Sequence, residues 1–214
     1  MTGETLRLAS GADGVSLEAW RLAPGDARRG GLVVLHELAV ATAHLSSFAL
    51  GFADDGYEVL VPALADRIAP PLLQPGGEAA DWRRTLGDIQ AAIDALPPPV
   101  FLIGLGWGGT AAWMAAARCA GVSAASCFCT GVAARSEETP RCPTILHIGR
   151  RDPLIPPEDL ETAAARHPEL PIWLYDAGHG FMGAEGYVED AARLARLRTL
   201  QLFHRATARG EAGG

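Results

Sequence analysis

The sequence predicts an α/β fold on one mostly parallel sheet of about eight strands, with helices on both faces and little or no cap. Short apolar runs rich in branched residues alternate with longer segments of helical periodicity. The central runs (LVVLH, YEVLV, VFLIG, TILHI and PIWLY) are almost continuously apolar, as strands covered on both faces must be. Strands alternating with helices in this way imply parallel pairing through right-handed crossovers.

Residues 6–9 and 15–22 flank a turn spanning Gly11 to Gly14 and read as a hairpin, an antiparallel edge. Further strands are expected at 31–36, 57–62, 100–104, 124–130, 143–149 and 172–176. Helices are expected at 44–55, 81–96, 108–120, 158–166 and 187–205. Asp81 is placed to cap the helix carrying Trp82, Leu86, Ile89 and Ile93, which Pro97, Pro98 and Pro99 then end. The Pro- and Gly-rich stretch 63–80 is the one long irregular connection, on the side of the sheet where substrate walls are built. The whole chain, 1–214, reads as a single domain with a frayed tail from about 207 to 214.

Composition narrows the function. The 214 residues are 49% hydrophobic and 20% charged, enough for a full core and too apolar for a disordered chain. A net charge of −7 argues against nucleic acid or an anionic membrane as partner. No apolar stretch is long enough to span a bilayer, and Met1 to Arg7 lacks a signal-peptide core, so a cytoplasmic location is expected. All 18 basic residues are arginine, which excludes lysine nucleophiles and Schiff bases. The four cysteines, at 119, 127, 129 and 142, read as core residues of a reduced protein, with Cys127 and Cys129 on one face of a strand. His36, Glu37, His44 and His179 lack metal-ligand spacing, so neither metal nor cofactor is expected. His36 and His147 read as buried histidines, and Trp82 and Trp113 as packing residues.

Three segments fall at C-terminal strand ends. They are Gly104-Leu105-Gly106-Trp107-Gly108-Gly109, a glycine-rich turn from strand to helix, then Gly149-Arg150-Arg151-Asp152-Pro153, then Gly178-His179-Gly180. Turn, acid, histidine is the chain order of the α/β-hydrolase nucleophile, acid and base. With Leu35-His36-Glu37, the strand Gly56 to Pro62 and Gly87-Asp88-Ile89, these segments resemble the dienelactone hydrolase family of α/β-hydrolases essentially end to end. The resemblance implies Asp152 as triad acid, His179 as base and Glu37 as an accessory carboxylate. It also implies an oxyanion hole from the N–H groups of Leu38 and Trp107.

Two positions depart from the family pattern. The family turn reads Gly-x-Cys-x-Gly-Gly, or Ser for Cys, and here Gly106 stands at the nucleophile position with no Ser, Cys or Thr between Gly104 and Gly109. Removing a triad serine costs on the order of 10⁶ in turnover. The arginine that follows the family histidine by four residues is Gly183, so the dienelactone itself is a doubtful ligand.

The expected function is therefore action on a small ester, lactone or other carbonyl compound by non-covalent acid–base chemistry of His179 and Asp152, with Glu37. Isomerisation, epimerisation, cyclisation or direct water attack would all suit it. Cys129 and Arg150 are candidate pocket residues beside Leu38 and Trp107. The alternatives are an inactivated variant of an ordinary Cys or Ser hydrolase, and a non-catalytic pseudo-hydrolase that binds a ligand or partner. A monomer or homodimer is expected.

Overall fold

A computed structural model describes residues 3–36, 43–64 and 82–212, with side chains through residue 208. In chain order the elements are β1 (Glu4–Ala9), β2 (Ser16–Leu22), β3 (Gly30–Leu35), α1 (Ala43–Asp54), β4 (Tyr57–Pro62), α2 (Trp82–Asp94) and β5 (Val100–Leu105). There follow α3 (Trp107–Arg118), β6 (Val122–Phe128), α4 (Val132–Arg135), β7 (Thr144–Gly149), α5 (Pro157–Arg166), β8 (Ile172–Tyr175) and α6 (Glu189–Ala212). The eight strands form one sheet in the order β1-β2-β4-β3-β5-β6-β7-β8. β1 pairs antiparallel with β2, and β2 antiparallel with β4, giving the expected hairpin edge. The remaining pairs, from β4–β3 through β7–β8, are parallel.

The strands divide their side chains between two cores. Val33, Leu35, Leu102, Cys127, Leu146 and Ile148 pack with Ile89 and Ile93 of α2 and Trp113 of α3 on one face. Leu32, Val34, Phe101, Ile103, Phe128 and Ile145 pack with Phe52 of α1 and Phe203 of α6 on the other. Every residue of β3, β4 and β7 is buried, which explains why these segments show no polar alternation.

Two expectations are corrected, and one element was not foreseen. Cys127 and Cys129 do not share a face: β6 ends at Phe128, Cys129 turns to a φ of 50°, and its side chain joins the opposite core from Cys127. The last helix runs to Ala212 rather than ending near Arg205, so its extent overlaps the expected frayed tail. α4, a single turn, was too short to announce itself by periodicity. The proposed cap Asp81, and residues 65–80 of the irregular connection, lie outside the described residues, as do Glu37 and Leu38.

Chain order reverses between β3 and β5, which lie side by side although α1, β4 and α2 separate them in sequence. Ligands of open α/β sheets bind in the crevice that such a reversal opens at the carboxyl ends of the strands. The Gly106, Cys129, Asp152 and His179 segments leave β5, β6, β7 and β8 at that end.

Candidate functional site

The turn from β5 into α3 is made by Gly106 at φ 59° and ψ −119°, a conformation that costs a residue with a Cβ about 1–3 kcal/mol. Its neighbours are glycine for another reason. A Cβ on Gly104 would stand 1.9 Å from the Gly108 oxygen, and one on Gly108 would stand 2.2 Å from the Leu35 oxygen. The helix can therefore start tight against β3 and β5. The turn is tied down by Gly106 N–H donating to the Phe128 oxygen (3.1 Å) and Gly109 N–H donating to the Gly106 oxygen (2.9 Å). Trp107 is the first helical residue, and its half-buried indole lies parallel to that of Trp82, centroids 6.3 Å apart.

Asp152 follows β7. Its backbone N–H donates to the Gly149 oxygen (3.1 Å), and its Oδ1 accepts the Leu154 N–H (2.9 Å). The other oxygen, Oδ2, lies 2.8 Å from Nδ1 of His179. A carboxylate can only accept, so the ring nitrogen donates. The Asp152 side chain is fully buried and that of His179 is 30% exposed.

The loop carrying His179 is held at both ends. Ala177 and Phe181 are both fully buried in the core with α1 and α6. The loop also approaches β7 at Gly149, where a Cβ would stand 2.4 Å from the Gly178 oxygen. The next residue, Gly180, turns at φ 65°, and a Cβ there would meet nothing within 4 Å beyond its chain neighbours.

Cys129 completes the group in a way its sequence neighbours did not announce. It lies one residue beyond the Leu105–Phe128 pair, beside Gly106 across the strand ends. Its N–H donates to the His147 oxygen (2.9 Å). One atom from each of Cys129 (the sulfur), Asp152 (a carboxylate oxygen) and His179 (a ring nitrogen) lies within 4.8 Å of the others. The turned backbone at Cys129 therefore puts its thiol with Asp152 and His179, where regular strand alternation would have pointed it into the core that holds Cys127. Next to it, Thr130 and Thr110 share a 2.7 Å hydrogen bond that links the end of β6 to α3.

The other expected residues among those described stand outside this group of three. Arg150 is exposed, with its backbone N–H donating to the Tyr175 oxygen (2.8 Å). Arg151 pairs with Asp176. His44, on α1, donates through Nε2 to the Met182 oxygen and meets Tyr187 edge-on, so it packs against the loop beyond His179. His36 is half-buried. His147 is a core histidine as expected, fully buried, with Nδ1 2.7 Å from the Tyr175 hydroxyl and Nε2 3.2 Å from Thr199 Oγ1. Burial, aided by the charge of Arg198, pushes its pKa down to about 3. Burial likewise raises the pKa values of Cys119 (to about 11), Cys127 and Cys142, which keeps these thiols protonated.

An eight-stranded sheet of this order, with a strand-to-helix turn after β5, an acid after β7 and a histidine after β8, defines an α/β-hydrolase fold. The chain belongs to the dienelactone hydrolase family, whose pattern matches residues 17–207. No curated protein sequence matches it.

Solved structures agree on the fold. A Klebsiella pneumoniae protein described as a dienelactone hydrolase superposes with a TM-score of 0.76 at 20% identity, covering 95% of this chain and 99% of its own. A dienelactone hydrolase-like promiscuous phosphotriesterase from metagenomic libraries gives 0.69 at 18% identity, covering 96% and 99%. An esterase of Pyrococcus furiosus gives 0.66 at 16%, covering 91% of each chain.

Proposed function

We propose that this protein acts on a small ester, lactone or other carbonyl compound by acid–base chemistry at His179 and Asp152, without a covalent intermediate. The observation that carries the reading is the 2.8 Å contact between His179 and a fully buried Asp152, beside a turn whose central residue, Gly106, has no side chain. Nδ1 of His179 is committed to Asp152, which leaves Nε2 as the atom that exchanges a proton with substrate or water. In an isomerisation, epimerisation or cyclisation, Nε2 takes the proton α to the carbonyl and returns it at a different face or atom. In hydrolysis it takes a proton from water as the oxygen attacks, then gives it to the leaving group.

The negative charge that develops on the carbonyl oxygen in either case needs donors. The Trp107 N–H at the start of α3 supplies one and the Leu38 N–H the second. Glu37 supplies a further carboxylate. Cys129 and Arg150 contact the substrate, and the volume left by Gly106 admits a water or a bulkier acyl group. The substrate is a small molecule rather than nucleic acid or a membrane lipid, and the protein works in the cytoplasm as a monomer or homodimer.

Hydrolysis of a small activated ester by the chain itself, Gly106→Cys and His179→Ala tests the reading. Turnover by the chain that His179→Ala removes supports water attack driven by His179. Turnover by Gly106→Cys alone supports machinery kept for a reaction other than hydrolysis. Turnover that His179→Ala leaves unchanged overturns the assignment.

A further inference from the structure

We infer that Cys129, Asp152 and His179 form a site for a thiophilic divalent cation such as Zn²⁺ or Cd²⁺, and that the cation switches off the acid–base pair. The sulfur, carboxylate oxygen and ring nitrogen come from the ends of β6, β7 and β8 and lie within 4.8 Å of one another. Ligands around a tetrahedral zinc, with Zn–S near 2.3 Å and Zn–N near 2.0–2.1 Å, stand roughly 3.5 Å apart. A closure of about 1 Å at the widest edge would bring these atoms onto one ion.

The donor set decides which ion. Thiolate with imidazole and carboxylate suits zinc and cadmium, whereas magnesium and calcium require oxygen ligands throughout. Three protein ligands leave a fourth position for water. The 30% exposure of the His179 side chain gives water access to the group.

The proton balance is simple. The Cys129 thiol releases one proton to solvent per ion bound, His179 binds as the neutral ring and Asp152 as the carboxylate. The cation holds a ring nitrogen of His179 and a carboxylate oxygen of Asp152, the two groups of the acid–base pair, so an occupied site has no free base. Binding stands on the geometry of the three ligands, and the loss of turnover rests on the function proposed above.

Cd²⁺ titration of the purified chain, read by ultraviolet thiolate-to-metal charge transfer, tests the site without using turnover. One equivalent per chain is expected to give the band, with Cys129→Ser abolishing it and Asp152→Asn weakening binding at least 10-fold. Cys142→Ser, at a thiol outside the cluster, should leave the band intact. A band that survives in Cys129→Ser, or no band in the folded parent chain, overturns the site. Asp152→Asn serves as the second variant should Cys129→Ser fail to fold, and unweakened binding by Asp152→Asn also overturns the site. If the band appears as expected while the chain turns over no substrate, the cation site stands and only the proposed reaction falls.

Discussion

Asp152 and His179 meet across the ends of β7 and β8 with Oδ2 2.8 Å from Nδ1, the carboxylate fully buried and the ring 30% exposed. That asymmetry suits a base and its orienting acid. The buried partner cannot trade its contact for water, so it holds the ring in one tautomer, while the exposed side of the ring can reach a ligand.

His179→Ala is therefore expected to lower turnover of a responsive substrate by about 10²–10⁴-fold. Asp152→Asn should fall in the same range, because an amide in place of the carboxylate no longer favours the tautomer with the proton on Nδ1. Steady-state kinetics on both variants check this. Their circular dichroism should match the parent chain, since the site sits on loops beyond the strand ends.

Gly106 gives a prediction in which stability and activity move in opposite directions. Gly106→Cys places a thiol at the turn, and hydrolysis of an activated ester should rise above the parent level. The φ of 59° and ψ of −119° make any Cβ there cost about 1–3 kcal/mol. Gly106→Ala should thus lose stability like the cysteine variant and gain no hydrolysis. Denaturant midpoints beside ester kinetics for the three proteins separate strain from chemistry.

The fold was legible because its central strands are buried on both sides. Segments such as LVVLH and YEVLV carry no alternation that could be misread, and the glycines after β5 mark where the chain must turn. The Asp152 and His179 pairing was legible too, from order along the chain. Cys129 was legible as a candidate pocket residue, but the turn in its backbone was not. Alternation assumes extended backbone, and nothing in Cys-Phe-Cys-Thr-Gly announces a residue at φ 50°. That one dihedral moves the thiol from the core facing α2 and α3 to the group with His179. The length of α6 was hidden differently. The helix was expected only to 205, ahead of a tail that holds Gly210, but a helical glycine costs only about 1 kcal/mol relative to alanine and does not forbid the helix.

Away from the site, Glu58 on β4 is a buried carboxylate held by two arginines. Arg21 Nε donates to Oε1 (2.9 Å) and Arg28 Nε to Oε2 (2.8 Å). Burial alone would raise its pKa, and these hydrogen bonds outweigh burial and hold it below the ordinary glutamate range. A carboxyl with a lowered pKa stabilises the fold above its unfolded value, about 4.3, and loses that contribution as pH falls through the folded value. Glu58→Gln should cost about 1.5–3 kcal/mol at pH 7, the worth of a hydrogen bond to a charged group. It should cost less at pH 3. Urea unfolding at the two pH values measures the difference.

His147 titrates in a different window and can be separated from Glu58. Stacked on Phe128 at 4.4 Å and bonded to Tyr175 and Thr199, it stays neutral in the fold down to about pH 3. In the unfolded chain it takes up a proton near pH 6.5. Between those values the unfolded state holds one more proton, so stability rises with pH by about 1.4 kcal/mol per pH unit from this residue alone. The slope is opposite to that of a histidine stabilised by a carboxylate, whose contribution would grow on acidification. His147→Gln removes the titrating group and should flatten the curve between about pH 6 and pH 4.5, above the range where Glu58 acts. It also gives up the ring packing, lowering stability at pH 7. Urea unfolding of the parent chain and the variant in half-unit steps across that range reads the slope directly. An unchanged slope would mean that His147 accepts its proton within the folded protein.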